Sequence, residues 1–215
     1  MARIGESLGY GKKALDSVEK ILTNDYGVEI LHPSYKEYHL ELGEVSSYPM
    51  GYKENGSVFC HNNPWIVIAN TVIGNNERAF DVYRRNCPAY LEDVSEIHKT
   101  EPYIYSQTIA GRDAKNYGEA KNSWLTGTAS WTMYAASQAI LGIKPDYDGL
   151  IIDPHLPKDI KHVQATRIFR NVKYNITILN SGSGKYEMIV DGKKLEGNII
   201  PYEETNKVIN VEIRI

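Results

Sequence analysis

Histidine, threonine and glycine stand just ahead of apolar runs at two places in this 215-residue chain. One is Cys60-His61-Asn62-Asn63-Pro64-Trp65. The other is Gly118-Glu119-Ala120-Lys121-Asn122-Ser123-Trp124-Leu125-Thr126-Gly127-Thr128. The first turn of a helix leaves backbone N–H groups unpaired at its positive dipole end, which favours an anion. Thr126 adds a hydroxyl, the Gly127 backbone permits close approach, and His61 adds a donor or a positive charge. A third polar stretch, Gly43-Glu44-Val45-Ser46-Ser47-Tyr48-Pro49 followed by Lys53-Glu54-Asn55-Gly56, contributes Glu44, Tyr48 and Lys53.

Plainer readings stand beside these. Thr126 or Thr128 serves equally as a simple helix cap. A histidine before a helix is often only structural, and Glu44 and Lys53 fit a surface pair of little energetic weight. Adjacent residues rarely orient for nucleophilic chemistry, so the Cys60–His61 pair is a poor thiol nucleophile. Zinc-type spacing, phosphate-loop and dinucleotide signatures and a G-x-S-x-G elbow are all absent. Neither a metal nor a resident cofactor is expected.

The elements that must position these residues change character along the chain. Ala14, Leu15, Val18, Ile21 and Leu22 repeat at helical spacing. A long loop from about Asn24 to Asn62 follows, and loops of that length usually carry function. Trp65 to Ile73 reads as a second helix, with Asn62 or Asn63 as cap, Pro64 in the first turn and Gly74 at the end. A third helix is expected over 76–86, a fourth from Pro102 to about Gly111, and a fifth from about Leu125 to Leu141. Trp131, Tyr134, Ala135 and Leu141 are core candidates of the fifth. After Pro145 the period falls to two. Leu150–Ile152, Val172–Leu179, Tyr186–Val190 and Val208–Ile215 read as strands, with Asp191-Gly192 as a hairpin turn. The expected architecture is mainly α with a C-terminal β domain, over 1–147 and 148–215.

Composition narrows the function. With 24 Lys+Arg against 27 Asp+Glu the net charge is −3, and no basic block exists to hold nucleic acid. No apolar run is long enough to span a membrane and no signal-peptide core is present, so a cytoplasmic protein is expected. Two cysteines are too few for a disulfide framework. Sixteen tyrosines against 3 Phe and 3 Trp suit a sugar ligand, whose apolar faces and hydroxyl edges match a phenol; half-buried tyrosines on ordinary elements explain them as well.

The polar segments resemble the C-terminal part of the inverting cellobiose and chitobiose phosphorylases, over about residues 26 to 153. The matching stretches are the three above together with Phe59-Cys60-His61, Thr100-Glu101-Pro102-Tyr103 and Tyr147-Asp148-Gly149-Leu150 leading into Ile152-Asp153-Pro154. Their order carries the specificity, and Glu44 through Lys53 is most similar to the cellobiose branch. The resemblance implies half of an α/α toroid followed by a small β-sandwich-like domain. It implies that His61, Thr126 and Gly127 hold phosphate, that Glu44, Tyr48 and Lys53 surround the acceptor sugar, and that Gln107 lies near the donor sugar. Phosphate would be the co-substrate. A homodimer, or association with a complementing N-terminal half, is implied too.

One component of that family is missing. Its general acid is an Asp in an Asp-Trp-Asn-Asp type stretch, whereas Trp65, Trp124 and Trp131 here follow Pro64, Ser123 and Ser130. Some 147 residues with five expected helices also fall short of the roughly 200 a closed six-pair toroid needs. The expectation is a piece of a phosphorylase with phosphate and acceptor contacts and no catalytic acid. The alternatives are a free-standing sugar- or phosphate-binding module and a structural partner of a separate half.

Overall fold

The chain divides into two compact units, Met1–Ala135 and Ala136–Ile215. The computed structural model describes residues 8–202 and 208–215. Positions 1–7 of the expected helical span and 203–207 of the expected β span lie outside the described residues.

In the first unit the periodic segments form helices close to where the pattern places them. Helix α1 covers Tyr10–Ile21 and buries Leu15. Two short strands follow as a hairpin, β1 (Thr23–Asn24) and β2 (Gly27–Val28). Helices α2 (Asn63–Val72) and α3 (Asn76–Asn86) pack on each other. Gly74, at φ 75°, closes α2: its N–H donates to the Thr71 carbonyl, and the Asn75 N–H reaches back to the Asn70 carbonyl.

Neither Asn62 nor Asn63 caps α2 through its side chain. Asn63 is used elsewhere. Its Oδ1 accepts the Val28 N–H at 2.8 Å, and its Nδ2 donates to the Val28 and Phe59 carbonyls at 3.1 and 3.2 Å. One buried amide thus fixes β2 to the start of α2. Asn63→Ala would strand three buried backbone groups, and we expect a loss of about 2–4 kcal/mol. Urea unfolding of the chain measures it; a loss below about 1 kcal/mol would remove Asn63 from this role.

The chain as a whole is not mainly α: helix and strand are about equal in extent. Helix predominates in the first unit and strand in the second, but the connections of the first unit also contain pairing that periodicity does not reveal. The loop before Asn62 includes 3-10 turns over Leu40–Ser47 and strand β3 (Val58–Phe59). After the short helix α4 (Ser95–His98), the span 102–111 is not a helix but holds strand β4 (Ser106–Ile109). It lies antiparallel between β3 and β5 (Ala120–Ser123). Pro102 imitates a helix start. The residues after it alternate, however: Ile104, Ser106 and Thr108 are buried while Tyr105 and Gln107 are half-buried, and two strands stand ready to pair with them.

Helix α5 (Thr128–Tyr134) begins three residues later than expected and continues as π-type turns through Ala135–Ile140. Of its core candidates Ala135 is fully buried, whereas Tyr134 remains 39% exposed. Trp131 meets Trp65 edge-on at 5.4 Å and Tyr134 at 6.1 Å.

The second unit is a β domain, as the change of period indicates. Strands β6 (Ile143–Pro145), β7 (Gly149–Ile152) and β12 (Ile199–Pro201) form one sheet, in the order β12-β7-β6. Strands β8 (His162–Phe169), β9 (Val172–Leu179), β10 (Glu187–Val190), β11 (Lys193–Leu195) and β13 (Val208–Arg214) form another, in the order β11-β10-β13-β9-β8. Val172, Tyr174, Ile176 and Ile178 alternate into the core. Asp191 and Gly192 both have positive φ, as the two-residue turn joining β10 to β11 requires.

Candidate functional site

Strand β4 organises the polar residues of the first unit. On one side is Ser106. Its hydroxyl lies 3.6 Å from the buried Cys60 thiol, and its carbonyl accepts the Thr128 hydroxyl at 3.2 Å. Cys60 belongs to a 3-10 turn, Cys60–Asn62, which carries His61 and packs against both β4 and α5. The His61 ring is half-buried and sits edge-on to Phe59 at 5.0 Å. Thr126 Oγ1 accepts the Thr128 N–H at 3.1 Å and lies 2.6 Å from Thr128 Oγ1. The His61 turn and the Thr126-Gly127-Thr128 turn therefore flank one serine.

Gly127 occupies the residue before α5 and is exposed. A side chain built there would meet only the Trp131 ring edge at 3.9 Å, so space beside this backbone is open. Thr126 does not cap the helix from the N-cap position; its hydroxyl closes a local turn onto Thr128.

On the other side of β4, Gln107 Oε1 accepts Lys53 Nζ at 2.6 Å and Asn122 Nδ2 at 2.9 Å. Lysine has only donors, so it fixes the amide: the oxygen faces Lys53 and the NH2 group faces away, as a donor. Lys53 and Asn122 both hold left-handed backbone, at φ 49° and 53°. Non-glycine residues adopt it at a cost of order 1 kcal/mol or more, and such strain clusters at functional positions.

Glu44 lies on the 3-10 segment before this bend, and Tyr48 is the extended residue that ends it. Asn55, fully buried, donates to the Tyr48 carbonyl at 2.7 Å and so ties that segment to the Lys53 turn. Glu44 is exposed, and no hydrogen bond joins its side chain to the other candidates among the described residues. Five of the seven expected residues, His61, Thr126, Gly127, Lys53 and Gln107, are thus placed around one strand. Tyr48 is linked through its backbone, and Glu44 by chain continuity alone.

Electrostatics separates the remaining groups. Burial pushes the Cys60 thiol up to about 11. It therefore stays protonated at neutral pH and is a structural donor rather than a nucleophile. The Lys121 ammonium bonds to Glu119 and holds that carboxyl below the usual range, with Lys99 adding to the effect. Lys121 is thereby neutralised locally. The described residues contain no cluster of His, Cys, Asp and Glu suited to a metal ion, and no helix among them is long and apolar enough to cross a membrane.

Sequence reasoning missed Ser106, Asn122, Asn55 and Asn63. The one available signal was the alternation over 104–108, which places Ser106 and Gln107 on opposite faces.

Residues 1–142 match the Glycosyl hydrolase 94 superfamily, catalytic domain. The chain is 34% identical over 206 residues to an N,N'-diacetylchitobiose phosphorylase of Vibrio proteolyticus, covering 94% of this chain and 26% of that protein. It is 35% identical over 202 residues to the protein of the same name from Vibrio furnissii, covering 92% and 25%. A solabiose phosphorylase of Paenibacillus borealis is 32% identical over 200 residues, covering 92% and 26%. The chain spans about a quarter of the length of these curated relatives.

Proposed function

The chain belongs to the glycosyl hydrolase 94 superfamily, and on that premise we propose that it carries the phosphate and acceptor contacts of an inverting disaccharide phosphorylase. The complete enzyme converts a β-linked disaccharide and phosphate into a sugar 1-phosphate and free sugar. His61, Thr126 and the Gly127 backbone hold phosphate. Glu44, Tyr48 and Lys53 surround the acceptor sugar, and Gln107 approaches the donor. We assign a cellobiose-type acceptor from Glu44, Tyr48 and Lys53, although the most similar relatives above take their name from N,N'-diacetylchitobiose.

The observation that supports this reading is that strand β4 gathers two clusters: His61 and Thr126 about Ser106, Lys53 and Asn122 about Gln107. An inverting glycosidase needs a carboxylic acid and a carboxylate base, the base activating water. Phosphate is already an anion at neutral pH and needs no base, and a carboxylate in the base position would repel it. A phosphorylase site therefore wants neutral and cationic donors where a hydrolase keeps its base. The His61 and Thr126 side of β4 has that character. On the other side the Gln107 NH2 group, held by Lys53, suits a sugar hydroxyl.

The family's acid stands in an Asp-Trp stretch, and this sequence has no Asp-Trp pair. We therefore expect the chain alone to bind inorganic phosphate weakly and to release no glucose 1-phosphate from cellobiose. Isothermal titration with phosphate and an assay for glucose 1-phosphate check both halves. Heat from phosphate that is unchanged in His61→Ala would remove the assignment, and sustained phosphorolysis by the chain alone would remove the division of labour.

The toroid also belongs to this reading, with the helices of the first unit as one part of the ring. Leu125 at 73%, Trp124 at 67% and Met133 at 66% exposure support a body that is completed by further chain over a free-standing module. Co-expression with the roughly three-quarters of a phosphorylase chain that this one does not span tests this: a stable complex with restored phosphorolysis is expected, and failure to associate counts against it.

A further inference from the structure

Tyrosines gather at a place that the residues discussed so far only touch. A cleft of about 370 Å3, within the size range of small-molecule sites, opens between residues 35–38 and 46–50. Three of the sixteen tyrosines line it: Tyr35, Tyr38 and Tyr48. Tyr35 is 36% exposed and Tyr38 60%. Lys36 and Glu37 also line it and bring one charge of each sign, so the cleft favours a neutral ligand over an anion. Its two walls are fixed to each other. The fully buried Asn55 amide accepts the Tyr35 N–H at 2.7 Å and donates to the Tyr35 and Tyr48 carbonyls at 3.0 and 2.7 Å. Ser46 Oγ, from the second wall, accepts the His39 N–H at 2.9 Å. Walls tied in this way need no ordering by a ligand, which lowers the cost of binding one.

We propose that this cleft is a second sugar subsite, holding the reducing-end ring of a β-linked disaccharide acceptor such as cellobiose, while the other ring lies among Glu44, Tyr48 and Lys53. The proposal rests on the acceptor assignment made above and extends it from one ring to two. Of those three residues Tyr48 alone lines the cleft, so the two places adjoin without coinciding. Tyr48 stands at their boundary and serves both rings. A pyranose presents the two kinds of surface that such a lining matches. Its C–H faces suit phenol rings, and its hydroxyl edge suits phenol oxygens and the polar ends of Lys36 and Glu37. The consequence is a preference by length: a disaccharide fills both places and a monosaccharide only one.

The test is titration of the intact chain with glucose and with cellobiose, followed by calorimetry or by NMR of the sugar. Cellobiose should bind about tenfold more tightly than glucose. Y38A should bring cellobiose down to the affinity of glucose and leave glucose itself unchanged, whereas Y38F, which keeps the ring, should retain most of the gain. Equal binding of the two sugars by the native chain would overturn the proposal. So would a Y38A variant that weakens both sugars alike, or neither. If Y38A does not fold, judged by its circular dichroism and melting, Y38L carries the same expectation, since it keeps bulk without a phenol face. Failure of the native chain to bind either sugar would sink the acceptor assignment and the cleft together, an outcome distinct from equal binding of the two, which sinks the cleft alone.

Discussion

Glu29→Ala is expected to remove about 2–4 kcal/mol from the stability of the first unit, a large share of what a domain of this size possesses. Glu29 is 1% exposed and pairs with Arg112. One carboxylate oxygen accepts Asn24 Nδ2 at 2.9 Å and the Arg112 N–H at 2.7 Å; the other takes the Arg112 guanidinium through Nε and Nη2 at 3.1 and 2.7 Å. The same carboxylate holds the Arg112 guanidinium above its ordinary pKa. Removing it leaves the exposed Arg112 guanidinium with the Ile21 carbonyl as its remaining partner at 2.6 Å and strands the buried Asn24 amide. The loss is that of several hydrogen bonds to a charged acceptor and of a buried donor left empty.

The effect should extend to the site. Arg112 follows Gly111, whose N–H donates to the Gly51 carbonyl at 2.8 Å and whose bare Cα allows the Gly56 carbonyl to approach. The Lys53 bend is therefore anchored on the segment that Glu29 secures. Urea unfolding and hydrogen exchange at residues 50–57 give the two readouts. Exchange that stays slow while stability falls would show that the bend does not depend on Glu29.

These anchors explain which parts of the molecule the sequence makes visible. Helices α2 and α3 are legible because each carries its own instructions: an apolar face, Pro64 at the start, Gly74 at the end. Strand β9 is legible for the same reason, since Val172, Tyr174, Ile176 and Ile178 alternate without interruption. Strands β3 and β4 are not. They are two and four residues long, and what makes them strands is each other, some fifty positions apart. Local reasoning then follows Pro102 into a helix that does not form. In the same way Asn63 looks like a cap from its position and proves to be a clamp on Val28, a partner 35 positions away. Of the candidate site, the motifs holding His61 and Thr126 stand out by residue type. Ser106 and Asn122 are ordinary polar residues whose roles exist only once β4 has paired, and Asn55 is one whose role exists only once the chain has folded back on Tyr35 and Tyr48.

His61→Ala and Thr126→Ala should each weaken phosphate binding by about 1–3 kcal/mol, roughly 5- to 150-fold, the value of a charge-assisted hydrogen bond lost in a partly dry site. The expectation differs in kind from that for Glu44→Ala. Glu44 stands exposed at the far end of the acceptor loop, unconnected to the Ser106 cluster, so its loss should change which acceptor sugar is used and leave phosphate largely alone. Kinetics of synthesis and phosphorolysis, with the chain joined to the rest of its catalytic domain, separate the two: KM for phosphate should rise in the first pair, and KM for the acceptor in the last. The opposite pattern, with Glu44→Ala acting on phosphate, would mean that β4 does not divide the site. The two halves also fail differently with salt. An anion held by His61 and backbone amides, as proposed, is screened as ionic strength rises, whereas the neutral Gln107 amide assigned to the donor sugar is not. Raised salt should therefore mimic His61→Ala in the KM for phosphate.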